Sequence, residues 1–566
     1  MLSLVWLSTV LLPVIRLVNA GPVVTVLNGT YEGLHLDNYE QDVFLGMPYA
    51  QPPVGDRRFK APESLNTSWQ TPRSAVEYAD ICMQYTARAS NAPPSYPMSE
   101  DCLSLNVIRP SDYNGTGALP VAVWIHGGGL YAGSSRETNL RNFVRQASAA
   151  QKPLIAISIN YRLSAFGFLW GSNELTANGS ANNGLRDQRL ALSWIQENIA
   201  AFGGDPRKVT IFGQSAGGLS VGKHLIAYGG RDDGLFRGAI MQSGGMAEKW
   251  PYNVKDPVAY TEDLYQNITE TTGCADKASP LECLRSLPLE SLSAALNVSN
   301  TPVFSGTGLG PWLTQVDGDF LQDGPTASLD KGHFVRVPIM YSTTTDEATV
   351  FMFSGPIDTD DDFKALVAAG GPDETTMSKI EALYPSNTTE LPAGYTPSTE
   401  DVQLYGAQWK RGVMFHTDVV ETTSRRMTLK AWATAGQKAY SARVNLLPPS
   451  TTARLGSHHS MDVNFIFANL DAATSNQTQF VTASKLMSGT WASFVSELDP
   501  NHHGVSDAPN WPTWTGDVAN GTESYGSNLV FNANSDLSSN SFLEQDNYRI
   551  SQTDYLASVM QSQMYY

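Results

Sequence analysis

Gly213-Gln214-Ser215-Ala216-Gly217 follows the apolar, β-branched run Val209-Thr210-Ile211-Phe212 and leads into further small residues. A G-x-S-x-G between a strand and a helix has the form of a nucleophile elbow. The glycines are needed because the turn is too tight for Cβ atoms, and the serine backbone is strained. The chemistry this prepares is attack by the Ser215 hydroxyl on a carbonyl carbon. Such a pentapeptide also arises by chance in a chain with 47 glycines. The strand before it and a second motif upstream set this one apart.

That second motif is His126-Gly127-Gly128-Gly129, directly after the apolar run Leu119–Ile125. Successive glycines leave backbone N–H groups bare. Acyl transfer places negative charge on the carbonyl oxygen, and fixed donors must be aimed at it. Gly128 and Gly129 can supply two N–H groups, and Ala216, at a helix N-terminus, a third. Losing one such donor costs about 3 kcal/mol of transition-state stabilisation.

The elements that must position these residues are legible from periodicity. Short β-rich runs near Ala122–Ile125, Ile155–Asn160, Val209–Phe212, Gly238–Gln242 and Val337–Tyr341 alternate with helical stretches such as Leu190–Asn198. This predicts an α/β fold, a large, mostly parallel twisted sheet with helices on both faces. The stretches from Ser243 to Phe334 and from Asp360 to Thr434 lack strand signals and are expected to form a helical cap around the site.

Further blocks run in a fixed order along the chain. They include Gly46-Met47-Pro48-Tyr49-Ala50, Ser99-Glu100-Asp101-Cys102-Leu103, Asn160-Tyr161-Arg162-Leu163, Asn183-Gly184-Leu185-Arg186-Asp187-Gln188 and Phe202-Gly203-Gly204-Asp205-Pro206. With the two glycine motifs, they make the chain resemble the type-B carboxylesterase/lipase family, the cholinesterase-like branch of the α/β-hydrolases, and within it secreted fungal carboxylesterases. The resemblance spans nearly the whole mature chain. It implies a carboxylic-ester hydrolase with an active-site gorge and no metal or organic cofactor. The Arg58/Glu100 and Arg162/Asp187 pairs resemble the family's buried ion pairs, which are structural.

A serine nucleophile needs a base, and the base an orienting acid. In this fold the chain order is serine, acid, histidine. Of nine histidines, His35, His126 and His224 lie too early or in other elements, His333 and His416 have no match in the family pattern, and His502 and His503 lie in a polar loop, which leaves His458 and His459. The family's imidazole stands three residues before an acidic residue that opens an apolar run. Asp462, followed by Val463 and Phe465-Ile466-Phe467, places it at His459. The acid by resemblance is Glu347, where the run Val337–Tyr341 gives way to Asp346-Glu347, with Asp346 a structural neighbour. Two departures stand out: the family usually has glycine after this glutamate, here Ala348, and glutamate before the nucleophile, here Gln214. Neither removes a proton carrier.

The chain has 566 residues and a net charge of −18. The charge disfavours nucleic acid as a partner. Because the motifs must converge from Ser215 to His459, residues 21–566 are read as one domain with cap insertions. Met1–Ala20 is apolar and ends in Val18-Asn19-Ala20, a secretory signal pattern. No later stretch is long and apolar enough to span a bilayer. The four cysteines are an even number, fitting an oxidising compartment. Proximity and the family resemblance pair Cys82 with Cys102 and Cys274 with Cys283. Sequons at Asn28, Asn66, Asn114, Asn178, Asn267, Asn297, Asn387, Asn476 and Asn520 fit a secreted glycoprotein.

Cholinesterases carry a tryptophan in the loop closed by the first disulfide, where it binds quaternary ammonium. Between Cys82 and Cys102 there is none, so choline esters are disfavoured and a small-molecule ester of another kind is expected. Gly308 and Gly310 before Trp312 suggest a roomy acyl side. The same machinery would serve a tailoring esterase or acyltransferase of small-molecule biosynthesis. It would not be kept by a binding protein that had lost its chemistry.

Overall fold

The computed structural model describes residues 21–85, 96–112, 117–246, 257–297, 311–352, 356–388, 392, 394–516, 525–535 and 540–563. The expected signal segment, Asn114, Asn520, Gly308 and Gly310 lie outside the described residues.

An eleven-stranded sheet dominates. Its strands are β1 (Leu34–Leu36), β2 (Gln41–Pro48), β3 (Ser104–Pro110), β4 (Leu119–Ile125), β5 (Ile155–Ile159), β6 (Gly204–Gln214), β7 (Gly238–Gln242), β8 (Ile339–Thr344), β9 (Ala439–Leu446), β10 (Ser527–Ala533) and β11 (Phe542–Gln545). The spatial order is β11-β10-β9-β8-β7-β6-β4-β5-β3-β2-β1. Every pairing from β5 across to β10 is parallel; the pairings toward both edges are antiparallel.

The central strands are apolar throughout because both faces of the sheet are covered. Side chains still alternate. Val121, Val123 and Ile125 of β4 join one core with Leu185 and Leu192 of helix α1 (Asn183–Asn198) and Leu219 and Leu225 of α2 (Ala216–Gly230). Ala122 and Trp124 join the opposite core with Phe465 of α3 (Met461–Ile466) and Phe480 and Met487 of α4 (Thr478–Glu497). There the Trp124 ring meets Phe212 at 5.1 Å and Phe467 at 4.8 Å.

The expected cap segments are helical. Helices such as Pro257–Thr271, Asp360–Ala368, Glu374–Leu383 and Trp409–Thr417 fill them. Phe363, Ile380, Trp409, Val413 and Phe415 form a third core with Leu556 and Met560. The second segment does not end in the cap, however. Its last helix, Thr423–Thr434, packs on β8 and β9. Leu429 and Trp432 are buried in the main core, and the Trp432 indole donates to the Val337 carbonyl at 2.8 Å. Sequence lacking strand signals does not distinguish a helix over the entrance from one covering the sheet.

Candidate active site

β6 lies between β4 and β7, in register Gly213 to Ile125 and Gln214 to Gln242. It therefore delivers Ser215 at the carboxyl edge of the sheet, where α/β folds bind ligands. Ser215 has φ 57° and ψ −128°, and its N–H donates to the Gln242 carbonyl at 2.8 Å. A non-glycine residue held there costs about 1–3 kcal/mol. The flanking glycines are demanded by backbone contact: a Cβ on Gly217 would stand 2.0 Å from the Ile125 carbonyl oxygen, and one on Gly213 2.4 Å from the Gly217 carbonyl carbon.

The glycine run after β4 passes directly over this turn. A Cβ on Gly127 would lie 3.1 Å from Ser215 Cβ. Gly128 has φ 105°, and a Cβ there would strike the Ala132 carbonyl oxygen at 2.1 Å. Gly129 has φ 62°. Ala216, fully buried, opens α2. His126 is a support for the run: its ring stacks on Tyr161 at 4.4 Å, and its Nδ1–H donates to the Gly127 carbonyl at 2.9 Å. Burial pushes its pKa down to about 4, so the ring is neutral at ordinary pH.

Glu347 lies in the turn after β8 and His459 in the turn after β9. Glu347 is buried. Its Oε1 accepts the Thr344 N–H at 2.5 Å, and its Oε2 lies 2.7 Å from His459 Nδ1. His458 does not share this contact; its Nδ1–H donates to the His459 carbonyl at 2.8 Å. Ala348 sits within the short 3-10 turn Glu347–Val350 with negative φ, so a glycine is not needed there. The Phe351 ring packs 4.8 Å from the His459 ring.

Two carboxylates hold these turns together. The Asp346 N–H donates to the Ser457 carbonyl at 3.0 Å, and Asp346 Oδ2 accepts the Ser457 N–H at 2.8 Å. Burial pushes Asp346 up to about 7. Three residues after His459, Asp462 Oδ2 accepts from Gln242 Nε2 at 2.8 Å, and Gln242 Oε1 accepts the Trp491 indole N–H at 3.0 Å. Burial pushes Asp462 up to about 6.

The sequence reading missed one contact at the centre of the site. His459 Nε2 is met by the Gln214 carboxamide nitrogen at 3.1 Å. The substitution at 214 was visible; its reach toward the imidazole was not, because it depends on two strand ends meeting. Also missed were buried ion pairs near the C-terminus, Arg425 and Arg426 with Asp546 and Arg549 with Asp418. Over a hundred residues separate these partners, and no local pattern marks them.

Elsewhere the structure joins Cys82 to Cys102 and Cys274 to Cys283. Arg58 grips Glu100 with two bonds of 2.6 and 2.7 Å, and Arg162 grips Asp187 at 2.6 and 2.8 Å. Among the sequon asparagines, Asn66, Asn178, Asn267, Asn297, Asn387 and Asn476 are exposed, and Asn28 is half-buried. No helix among the described residues is long and apolar enough to cross a membrane.

A parallel sheet with helices on both faces and a strained serine at the end of a central strand defines an α/β-hydrolase. The chain belongs to the carboxylesterase family, which residues 20–537 match. It is 34% identical over 534 residues to Lipase 5 of Diutina rugosa, covering 89% of this chain and 91% of that one. It is 32% identical over 521 residues to Secreted lipase 1 of Botryotinia fuckeliana (88% and 87% covered). Among solved structures it is similar to Aspergillus niger EstA, with TM-score 0.80, 29% identity, and 96% and 99% of the two chains covered. The protein is a carboxylic-ester hydrolase.

Proposed function

We propose that this protein is a secreted serine esterase working through an acyl-enzyme, with Ser215 as nucleophile, His459 as base and Glu347 as orienting acid. One observation carries the reading. A carboxylate and an imidazole 112 residues apart meet at 2.7 Å, and the other nitrogen of that imidazole lies 3.1 Å from Gln214, the residue before a serine at positive φ. Ser215 Oγ attacks the ester carbonyl carbon while His459 Nε2 takes its proton. Glu347 holds the Nδ1–H tautomer and stabilises the imidazolium. The N–H groups of Gly128, Gly129 and Ala216 receive the oxyanion. His459 then protonates the departing alkoxide. Water, deprotonated by the same ring, cleaves the acyl-enzyme and releases the acid.

Residues 1–20 act as the signal peptide in this reading, and residues 21–566 as one catalytic domain. Two disulfides and exposed sequons support export, and relatives bearing the names "Secreted lipase 1" and "Secreted triacylglycerol lipase LIP1" point the same way. The tryptophan-free segment between Cys82 and Cys102 argues against choline esters.

A fluorophosphonate probe and a panel of chromogenic esters of rising acyl length test the assignment. Wild type should be labelled and active, with propionyl and longer esters accepted. Ser215→Ala should be unlabelled and slower by about 10⁴-fold or more. A Ser215→Ala protein that still turns over esters would sink the reading.

A further inference from the structure

A cavity of about 1030 Å³ opens between the helices Pro325–Lys331, Thr423–Thr434 and Ile550–Gln563. It is not the catalytic site. Arg336, on its rim, precedes β8, whereas Glu347 follows β8. The six residues of that strand put about 20 Å between them. One wall is apolar, built by Phe334, Met427, Ala431 and Trp514. Met427, Ala431 and Ala435 recur at four-residue spacing along one helix, so the apolar strip runs for about 12 Å.

The charge of this groove is out of character for a chain with a net charge of −18. At its floor the buried Arg425 and Arg426 share one buried carboxylate, Asp546, through four bonds of 2.8–3.0 Å. Two guanidiniums on one carboxylate leave a positive charge in excess. On the rim Arg336 and Lys430 are exposed, and neither has a carboxylate partner among the described residues. Lys331 is paired with Asp323 at 2.6 Å, and the acids Asp330 and Asp554 also line the groove. Arg426 and Lys430 stand one turn apart on the same helix, where like charges repel. An anion between them removes that cost.

We propose that this groove binds a long-chain carboxylate, the class of product that a carboxylic-ester hydrolase releases, with its head met by Arg336, Lys430 and the surplus charge of the Arg425–Arg426 pair and its chain laid along Met427, Ala431 and Trp514. A small anion would leave the apolar wall wet, and a neutral lipid would leave the cations without a partner. Only an acid with an alkyl chain answers both.

Calorimetric titration with dodecanoate, below its micelle concentration, tests the proposal on protein whose Ser215 has been phosphonylated, so that the catalytic centre is occupied. The phosphonylated wild type should bind one equivalent. Arg336→Gln combined with Lys430→Gln should weaken binding by about tenfold or more. The same double variant, before phosphonylation, should hydrolyse a short chromogenic ester at the wild-type rate, which shows that it is folded. Dodecanol and acetate each carry half of the chemistry and should bind about tenfold more weakly or worse. Undiminished binding by the double variant would overturn the inference, as would equal binding of dodecanol or acetate, or no binding by the phosphonylated wild type. Retention of wild type, but not of the double variant, on phosphatidylserine vesicles would also overturn it, by making the groove a membrane contact. None of these outcomes touches the esterase assignment, which Ser215→Ala tests separately.

Discussion

At the nucleophile turn, backbone meets backbone. Gly213, Gly217 and Gly128 each approach a main-chain atom so closely that a methyl group would lie within 2.4 Å of it. Around the Glu347–His459 pair, side chains from separate turns meet instead: Glu347 on His459, Asp346 on Ser457, Asp462 on Gln242. The first region is fixed by exclusion, because nothing larger than glycine fits and parallel strands on both sides of β6 prevent relaxation. The second is fixed by directed hydrogen bonds, each of which can be lost singly. Shape is therefore fragile in the first region and chemistry in the second.

The largest expected effect is in the first. Gly217→Ala would drive a Cβ into the Ile125 carbonyl oxygen, on a strand paired on both sides. Such overpacking against immobile backbone should cost several kcal/mol. Little soluble protein should be recovered, with neither a native melting transition nor activity. A Gly217→Ala protein that melts like wild type would dissolve the distinction between the two regions.

Glu347→Gln should behave oppositely. The amide oxygen still accepts the Thr344 N–H, but its NH₂ group faces His459 Nδ1 and favours the wrong tautomer. The protein should fold, with its melting temperature within a few degrees of wild type, while kcat falls by about 10³–10⁴-fold. Steady-state kinetics beside a thermal melt check both halves. Unfolding rather than inactivation would show that Glu347 is part of the scaffold.

The same contrast explains what the sequence revealed. Steric exclusion leaves its mark on neighbouring residues, so Gly213-Gln214-Ser215-Ala216-Gly217 and the triple glycine stood out on their own. The central strands did too, since covering both faces forces continuous apolar runs. Glu347 and His459 were reached only with the help of family resemblance, because a carboxylate after a strand or a His-His pair in a loop is common. Gln214 is legible only as a departure that removes no proton carrier, while its contact with His459 is not, and the Asp546 cluster has no local signature at all. Helix Thr423–Thr434 was assigned to the cap because its place against β8 and β9 depends on strands distant in the chain.

The smallest predicted effect concerns the clamp of Asp346 on Ser457, between the Glu347 and His459 turns. Burial raises Asp346 to about 7, far above an ordinary carboxyl, so between about pH 4 and 7 the folded protein holds a proton that the unfolded chain has released. The stability that Asp346 contributes should therefore fall as pH rises through that window and level off above it. Asp462, raised to about 6, contributes in the same sense over a narrower range. Asp546 has the opposite sign: burial pushes it up, but Arg425 and Arg426 more than offset that and hold it near 2. Its contribution is complete above about pH 4 and is lost on acidification toward 2. His126 and His224, buried and lowered to about 4 and 3, oppose Asp346 and Asp462 below about pH 6.5, so the Asp346 contribution is read as a difference between variants. Asp346→Asn keeps an oxygen for the Ser457 N–H and removes the titration. It should leave the melting temperature at pH 4 nearly unchanged and raise it at pH 8 by about 1–3 °C, flattening the slope between. Calorimetry across pH 4–8 decides the point: equal slopes in wild type and Asp346→Asn would mean that this clamp does not titrate, and that the acid–base region is held as indifferently to pH as the glycine turn.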